Sequence, residues 1–454
     1  MSETSTLVDW QPKDQEEVNL KETINQLFNV ASEKAIVQVP VVGADNKATE
    51  ETKPQFILKT RGYYDVKAYV AAGMLFPKVK EDFYKLHPKD QMKRLTEVDT
   101  EIYEETATAM VDVQNSCQNF NDQHMAKWLL VANGTIEYCQ FAIDLLSGFE
   151  QGSFRALLDV LLDPKYSTLE SQNAQEFQDA AQAANSIFTE LSRNARDKAT
   201  ETNALIQDLE AFLGDTVANK TKIDFLKKQY ITGPVTVGHS DVIKKGLDGN
   251  DQQPYSQYLQ TSLDNLRKEI VDAVNQYNAA FDEWKHYTVV AATAVTYAWI
   301  PIYGWIAGGT VMGVYTDRAR KAHERYETEK KKALEKKAEE GPLVNLIEDV
   351  SRLTSQQTAI STLMQSAIDA LKEIRSLFLD QARNYGLAAS QMGFANGRVR
   401  DSFFMRKTYM VQSVDRAVKN WQQVQDLARE FLESADLHTE GIAPGVTPPA
   451  IPGQ

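Results

Sequence analysis

Apolar residues recur every three and four positions in this chain for longer than a compact domain has use for. Phe177, Ala181, Ala184, Phe188, Leu191, Ala195, Lys198, Thr202, Leu205, Leu209 and Phe212 alternate steps of four and three. The same steps run through Leu259, Leu263, Leu266, Ile270, Ala273, Tyr277, Ala280 and Trp284. They return through Leu346, Val350, Leu353, Gln357, Ile360, Met364, Ala367, Leu371, Ile374 and Phe378. A final helical segment carries Val414, Val418, Trp421, Gln425, Ala428, Leu432 and Ala435 in register. A sustained 3.5-residue repeat keeps one seam of a helix against its partner at a shallow crossing angle. Thr168 to Leu213 as one helix would be about 65–70 Å long, against a mean helix of about 11 residues in ordinary domains. The expected fold class is therefore all-α: an elongated bundle of long antiparallel helices.

Between the second and third of these rods lies VVAATAVTYAWIPIYGWIAGGTVMGVY, Val289 to Tyr315, and no Asp, Glu, Lys or Arg occurs between Lys285 and Asp317. As a straight helix the stretch would be about 40 Å long, enough to cross a hydrocarbon core of about 30 Å. Pro301 and Gly304 argue instead for a hairpin with its tip at IPIYG, each arm about 12 residues, or ~18 Å. The arms hold Gly304, Gly308, Gly309 and Gly313 in two successive G-x-x-x-G spacings, which let helix backbones approach closely in lipid. Tyr297, Trp299, Tyr303, Trp305 and Tyr315 are amphipathic aromatics of the kind enriched at membrane interfaces, and the stretch has no Leu or Phe. The residues expected to enter a membrane are Val289, Val290, Val295, Tyr297, Trp299, Ile300, Pro301, Ile302, Tyr303, Trp305, Ile306, Val311, Met312, Val314 and Tyr315, with the four glycines packing helices together. Arg318 to Lys337 follows with nine Lys or Arg against four Glu. These residues read either as a solvated helix of Glu-Lys pairs or, for Arg318, Arg320 and Lys321, as contacts to anionic headgroups.

The rest of the chain contains little that suggests chemistry. The six histidines are scattered with no metal-ligand spacing, and no phosphate-binding glycine loop or nucleophile elbow occurs, so neither a cofactor, a metal nor an enzymatic activity is expected. A net charge of −14 gives no electrostatic case for nucleic acid. Cys117 and Cys139 are too few for a disulfide framework, and the sequence leaves open whether they pair. No apolar run follows Met1, so release without a Sec-type signal peptide is expected.

Residues 1–55 read as a flexible arm, polar and interrupted by Pro40 and Pro54, with AIVQVPVV as one extended run. Phe56 to Pro77 reads as a helical element, and Lys78 to Gly148 as helix broken near His87 and Pro88. Gly152 to Asp163 should be a short helix stopped by Asp163-Pro164. Gln229 to Tyr258 reads as a long Gly- and Pro-rich connection. The domain plan is an arm at 1–55, the helical bundle at 56–285 and 318–437, the hydrophobic hairpin at 286–317, and a disordered Pro-rich tail at 438–454.

An FI segment at Phe56 and Ile57 leads into an element with Ala68, Tyr69, Gly73 and Pro77 in A-Y-V-x-x-G-M-x-F-P, followed by long rods and a greasy hairpin two thirds along. This layout resembles the alpha-xenorhabdolysin A-like subunits and the related helical crystal toxins, within the cytolysin A superfamily of alpha-helical pore-forming toxins. The resemblance covers about residues 55–437. It implies a soluble rod whose head shields the hairpin until a target-cell lipid bilayer is met. Protomers then assemble as a homo-oligomer, or as a hetero-oligomer with a second helical toxin subunit. The alternatives from the residues themselves are a membrane-anchored rod acting as a tether and a wholly soluble scaffold with a buried hairpin.

Overall fold

The computed structural model describes residues 10–12, 15–42, 48–59, 63, 66–67, 69–70, 73–148, 152–168, 170–240, 242–243, 254–255, 341–390 and 403–436. Three of the four heptad seams fall in described residues and become long helices, and the all-α expectation holds. We number the elements in chain order: α1 Gln15–Leu27, β1 Ile36–Val42, β2 Ala48–Phe56, α2 Lys80–Leu86, α3 Lys93–Val98, α4 Thr100–Gln123, α5 Met125–Ile143, α6 Phe154–Leu161, α7 Gln175–Lys227, α8 Gly341–Ser390 and α9 Phe403–Asp436. At 53 residues α7 is about 80 Å long. Its start lies later than the expected Thr168 because Pro164–Tyr166 and Ser171–Asn173 form tight single turns before it.

Side-chain contacts fix the directions of the rods. Ser192 Oγ donates to the Ala382 carbonyl at 2.7 Å, Arg375 Nη1 to Asn203 Oδ1 at 2.5 Å, and Lys372 Nζ meets Glu210 Oε1 at 3.0 Å. As one number rises the other falls, so α7 and α8 are antiparallel. The same reasoning applies to α4 and α5, which follow one another across His124. Tyr230 pairs with Thr106, Lys222 with Asp112, Phe212 stacks on Phe120, and Lys198 reaches Glu137. Both helices therefore run against α7 and alongside α8. In turn α9 is antiparallel to α5, with Trp421 packed on Tyr138 and Phe431 joined to Trp128 through the Tyr63 ring. The result is an up-down-up-down arrangement of rods about a core of Tyr138, Phe188, Phe378, Tyr385 and Trp421, all 1% exposed or less.

Most of the predicted seam is buried. Ala181 and Lys198 are exceptions, only partly buried, while Ala180 and Ala199 face the core instead. A straight helix drifts relative to a strict 3.5 repeat, and α7 packs against several rods, so its buried face is wider than one heptad seam. In α8 and α9, Leu346, Val350, Leu353, Met364, Ala367, Leu371, Ile374, Phe378, Val414, Val418, Trp421, Gln425 and Ala428 are buried as expected.

The arm expected at 1–55 is corrected over its described part. Ile24, Leu27 and Phe28 make an i, i+3, i+4 apolar set that buries completely, and Phe28 packs against Phe154. Trp10 sits edge-on to Tyr409, whose hydroxyl donates to Asn25 Oδ1 at 2.6 Å. Glu17 and Arg406, 4.0 Å apart and at most 2% exposed, also join α1 to α9. β1 and β2 form an antiparallel ribbon in the register Ile36↔Phe56 to Val42↔Ala48, so AIVQVPVV is extended as read. The helix break at His87-Pro88 and the helix stop before Pro164 fall where the sequence puts them. Residues 438–454 lie outside the described residues.

Candidate functional site

The predicted membrane-entering residues from Val289 to Tyr315, the glycines at 304, 308, 309 and 313, and Arg318, Arg320 and Lys321 all lie outside the described residues. So does the second rod, Leu259 to Trp284. What the structure does describe is the ground on either side: the described chain runs to Tyr255 and resumes at Gly341. Among the described residues no helix is long and apolar enough to cross a membrane, and no group of three or more His, Cys, Asp or Glu could hold a metal ion.

Both points lie at the same end of the rods, beside the C-terminus of α7 and the N-terminus of α4. Two buried contacts secure them. On the entry side Tyr255, fully buried, donates from its hydroxyl to Asp99 Oδ2 at 2.6 Å, and its ring meets Tyr230 edge-on at 5.5 Å. Asp99 is held in turn, because its Oδ1 accepts from the Ile102 backbone N–H at 3.1 Å and so caps α4. Tyr230, in a π turn that continues α7, pairs its hydroxyl with Thr106 Oγ1 of α4 at 3.1 Å. Burial, then the Asp99 hydrogen bond and charge, push the Tyr255 phenol well above its usual range, so it remains a donor.

On the exit side Asp349, in the third turn of α8, lies with Oδ2 3.0 Å from His87 Nε2. His87 follows α2, where the following Pro88 forbids further helix, and its side chain is 3% exposed. Its ring lies tilted against Phe83 with centroids 5.0 Å apart, and its carbonyl accepts from the Tyr103 hydroxyl at 2.5 Å. Tyr103 stacks on Tyr84, whose hydroxyl donates to Glu104 Oε2 at 2.6 Å, a bond that holds the Tyr84 phenol up at about 12. Beside this cluster a short turn, closed by the bridge Thr236↔Ile243, exposes Val237, Val242 and Ile243, and lays the His239 ring, tilted, against Phe225. Glu105, 3.4 Å from His239, has its carboxyl raised by burial, against the opposing pull of that histidine.

Sequence reasoning passed over this junction. His87 was read only as part of a helix break, and Tyr255 as part of a connection, because their partners are 262 and 156 residues away. A large aromatic after the Gln-Gln-Pro of an otherwise polar connection was the one usable signal. Cys117 and Cys139 are both free and buried, which settles their pairing. Burial raises both thiols far above their usual range, so neither is a reactive thiolate.

The described residues define an elongated all-α bundle in which Tyr255 and Gly341 lie at one end. No protein-family model matches the chain, and no curated protein matches it. Among solved structures it is similar to the HblL1 toxin component of Bacillus cereus, at 13% identity over 83% of this chain and 94% of that chain, with a TM-score of 0.47. It is similar to soluble SmhA of the tripartite alpha-pore forming toxin of Serratia marcescens, at 10% identity over 84% and 92% of the two chains, TM-score 0.47. The AhlB pore of the tripartite alpha-pore forming toxin of Aeromonas hydrophila aligns at 10% identity over 94% and 99%, TM-score 0.36. Likeness this loose does not carry an activity over to the present chain.

Proposed function

We propose that this protein is a pore-forming cytotoxin or a subunit of one, soluble until the hairpin at 286–317 inserts into a target membrane and protomers oligomerise. One observation carries the reading: a stretch without a single acidic or basic side chain, Val289 to Tyr315, that lies in the sequence between two long antiparallel helices, α7 and α8. Apolar side chains from Val289 to Tyr315 would enter the hydrocarbon, the Trp and Tyr rings would settle at its boundary, and the glycines would let helices approach. Arg318, Arg320 and Lys321 would meet anionic headgroups, each worth about 1 kcal/mol near the surface.

The short arms argue for conditional rather than permanent insertion. A constitutive anchor needs about 20 apolar residues in one run, whereas Pro301 divides this stretch into halves of about 12. A tether would need detergent from the start of purification, while the proposed toxin is a soluble monomer or small oligomer. The direct test is dye release from liposomes by the wild type and by Gly308→Arg and Ala298→Asp. Leakage from the wild type that both substitutions abolish is expected. Equal leakage from all three would sink the proposal, and so would an intact vesicle population with the wild type both alone and with a candidate second subunit.

A further inference from the structure

We propose that the turn from Thr236 to Ile243 is a docking point for an anionic lipid surface, a contact separate from the uncharged stretch and made before any insertion. The proposal rests on the pore-forming reading for its biological purpose, though not for its geometry. Val237, Val242 and Ile243 are 51%, 62% and 45% exposed. Single exposed aliphatics need no explanation, but three on one turn do. The turn is firmly built. Gln229, fully buried, brackets Thr236: its Oε1 accepts from the Thr236 backbone N–H at 3.0 Å and its Nε2 donates to Oγ1 at 2.8 Å. Thr236 Oγ1 donates in turn to the Gly238 carbonyl at 3.1 Å, and the Val237 N–H donates to the Val242 carbonyl at 2.8 Å. Gly238 adopts a φ of 54°, the left-handed conformation that glycine reaches without strain. His239, 3.4 Å from Glu105 of α4 and laid against Phe225 of α7, fixes the turn to the rods. A backbone pinned at so many points holds its aliphatics outward.

Charge and position select the partner. From Lys220 to Lys245 the sequence has six Lys against two Asp, in a chain whose net charge is −14. Lys220 and Lys222 pair with Asp224 and Asp112, whereas Lys227 and Lys228, at the foot of the turn, have no carboxylate partner among the described residues. Among the acids of this end, Asp99, Glu105 and Asp112 are engaged by Tyr255, His239 and Lys222. Aliphatic side chains at a tip, with lysines behind them, match the order of acyl chain and anionic headgroup in a bilayer. Protein interfaces centre more often on Trp, Tyr and Arg, and residues 236–243 contain none of these. Tyr230, in the π turn that leads into this segment, packs on Tyr255, so the tip lies at the end of the rods where the described chain stops ahead of the uncharged stretch.

The test is flotation of the intact chain with phosphatidylcholine vesicles, with and without phosphatidylglycerol. Val237→Asp and Val242→Asp alter side chains that are already exposed, so both should keep the wild-type fold by circular dichroism. Leu130→Asp makes the same kind of change at a residue 64% exposed on α5, between the Lys127–Asp208 and Lys198–Glu137 contacts and far from the tip. Wild type should float only with phosphatidylglycerol, and Leu130→Asp should match it. Each tip variant should bind about tenfold more weakly, through lost aliphatic burial and one repelled charge. Replacing Lys227 and Lys228 with Gln should weaken binding about fivefold per lysine and reduce its sensitivity to salt. The proposal fails if wild type does not float, if it floats equally without phosphatidylglycerol, if the tip variants bind as it does, or if Leu130→Asp loses as much. Self-association lost in the tip variants while flotation is unchanged would assign the turn to a second copy of the chain instead. Dye release separates this proposal from the pore-forming reading: tip-dependent flotation with every vesicle intact upholds docking and sinks pore formation, and leakage indifferent to the tip does the reverse.

Discussion

Gly73 has no room for a methyl group. A Cβ built there would lie 2.3 Å from Cys117 Sγ, 3.1 Å from Cys117 Cβ and 3.4 Å from Val113 Cγ1 of α4. The glycine in the A-Y-V-x-x-G-M-x-F-P run thus has a packing cause: it lets this element lie directly on α4. Gly73→Ala should cost about 1–3 kcal/mol in chemical denaturation, the usual penalty for overpacking, and Cys117→Ala should recover part of it. A fully additive double variant would contradict the contact. The buried tyrosines make a second prediction. Burial pushes Tyr103 and Tyr385 up to about 12, and Tyr138 also rises. A raised folded-state pKa means stability that is intact below the unfolded value near 10 and is lost as pH climbs through 12. Each such tyrosine steepens the loss by up to about 1.4 kcal/mol per pH unit. Phenolate absorbance should therefore rise together with loss of helical circular dichroism in one alkaline transition. Gradual titration of every tyrosine with helix content intact would count against it.

At the scale of elements, the N-terminal region shows why a polar sequence can still belong to a core. In QEEVNLKETINQL the apolar residues are few, so α1 has little to announce it beside rods with unbroken seams. What it does have is concentrated: Ile24 and Leu27, then Phe28 against Phe154 and Phe188. Phe28→Ala should destabilise the whole bundle by about 3–5 kcal/mol in a single cooperative transition. A loss below about 1 kcal/mol, the scale of a surface position, would mean that this segment is not integral. The elements legible in the sequence were those defined by local rules: the heptad rods, the break at His87-Pro88, the stop at Asp163-Pro164. Those that escaped depend on distant partners, as α1 depends on α6 and α9, and as Asp349 depends on His87. Ala181 and Lys198 escaped for a subtler reason, since a seam counted against one partner misplaces its edges when a helix meets several.

At the scale of the whole molecule, the rods were readable because a 3.5-residue repeat specifies side-by-side helices whatever their partners, while their order and direction came only from contacts such as Ser192 with Ala382 and Phe120 with Phe212. The uncharged stretch stands out by composition alone and lies outside the described residues, while the described surroundings are signalled only by the aromatic Tyr255 after Gln-Gln-Pro, and Asp349 by nothing local. The resulting length is itself testable. A compact globule of 454 residues would have a radius of gyration of about 22 Å. A body containing the 53-residue α7 must instead be at least about 80 Å long, and a uniform rod of that length already has a radius of gyration of about 23 Å before its width and the insertion are added. Small-angle scattering of the lipid-free protein should give a maximum dimension above about 80 Å and a radius clearly larger than the globular value. The described side chains along each rod bury an apolar seam, so the helices cannot fold back on one another without exposing it. A globular scattering profile at low concentration would therefore contradict the antiparallel register of α7 with α8 and of α5 with α9, and with it the separation of the Tyr255 and Gly341 end from the α1 end on which the proposed one-ended membrane insertion depends.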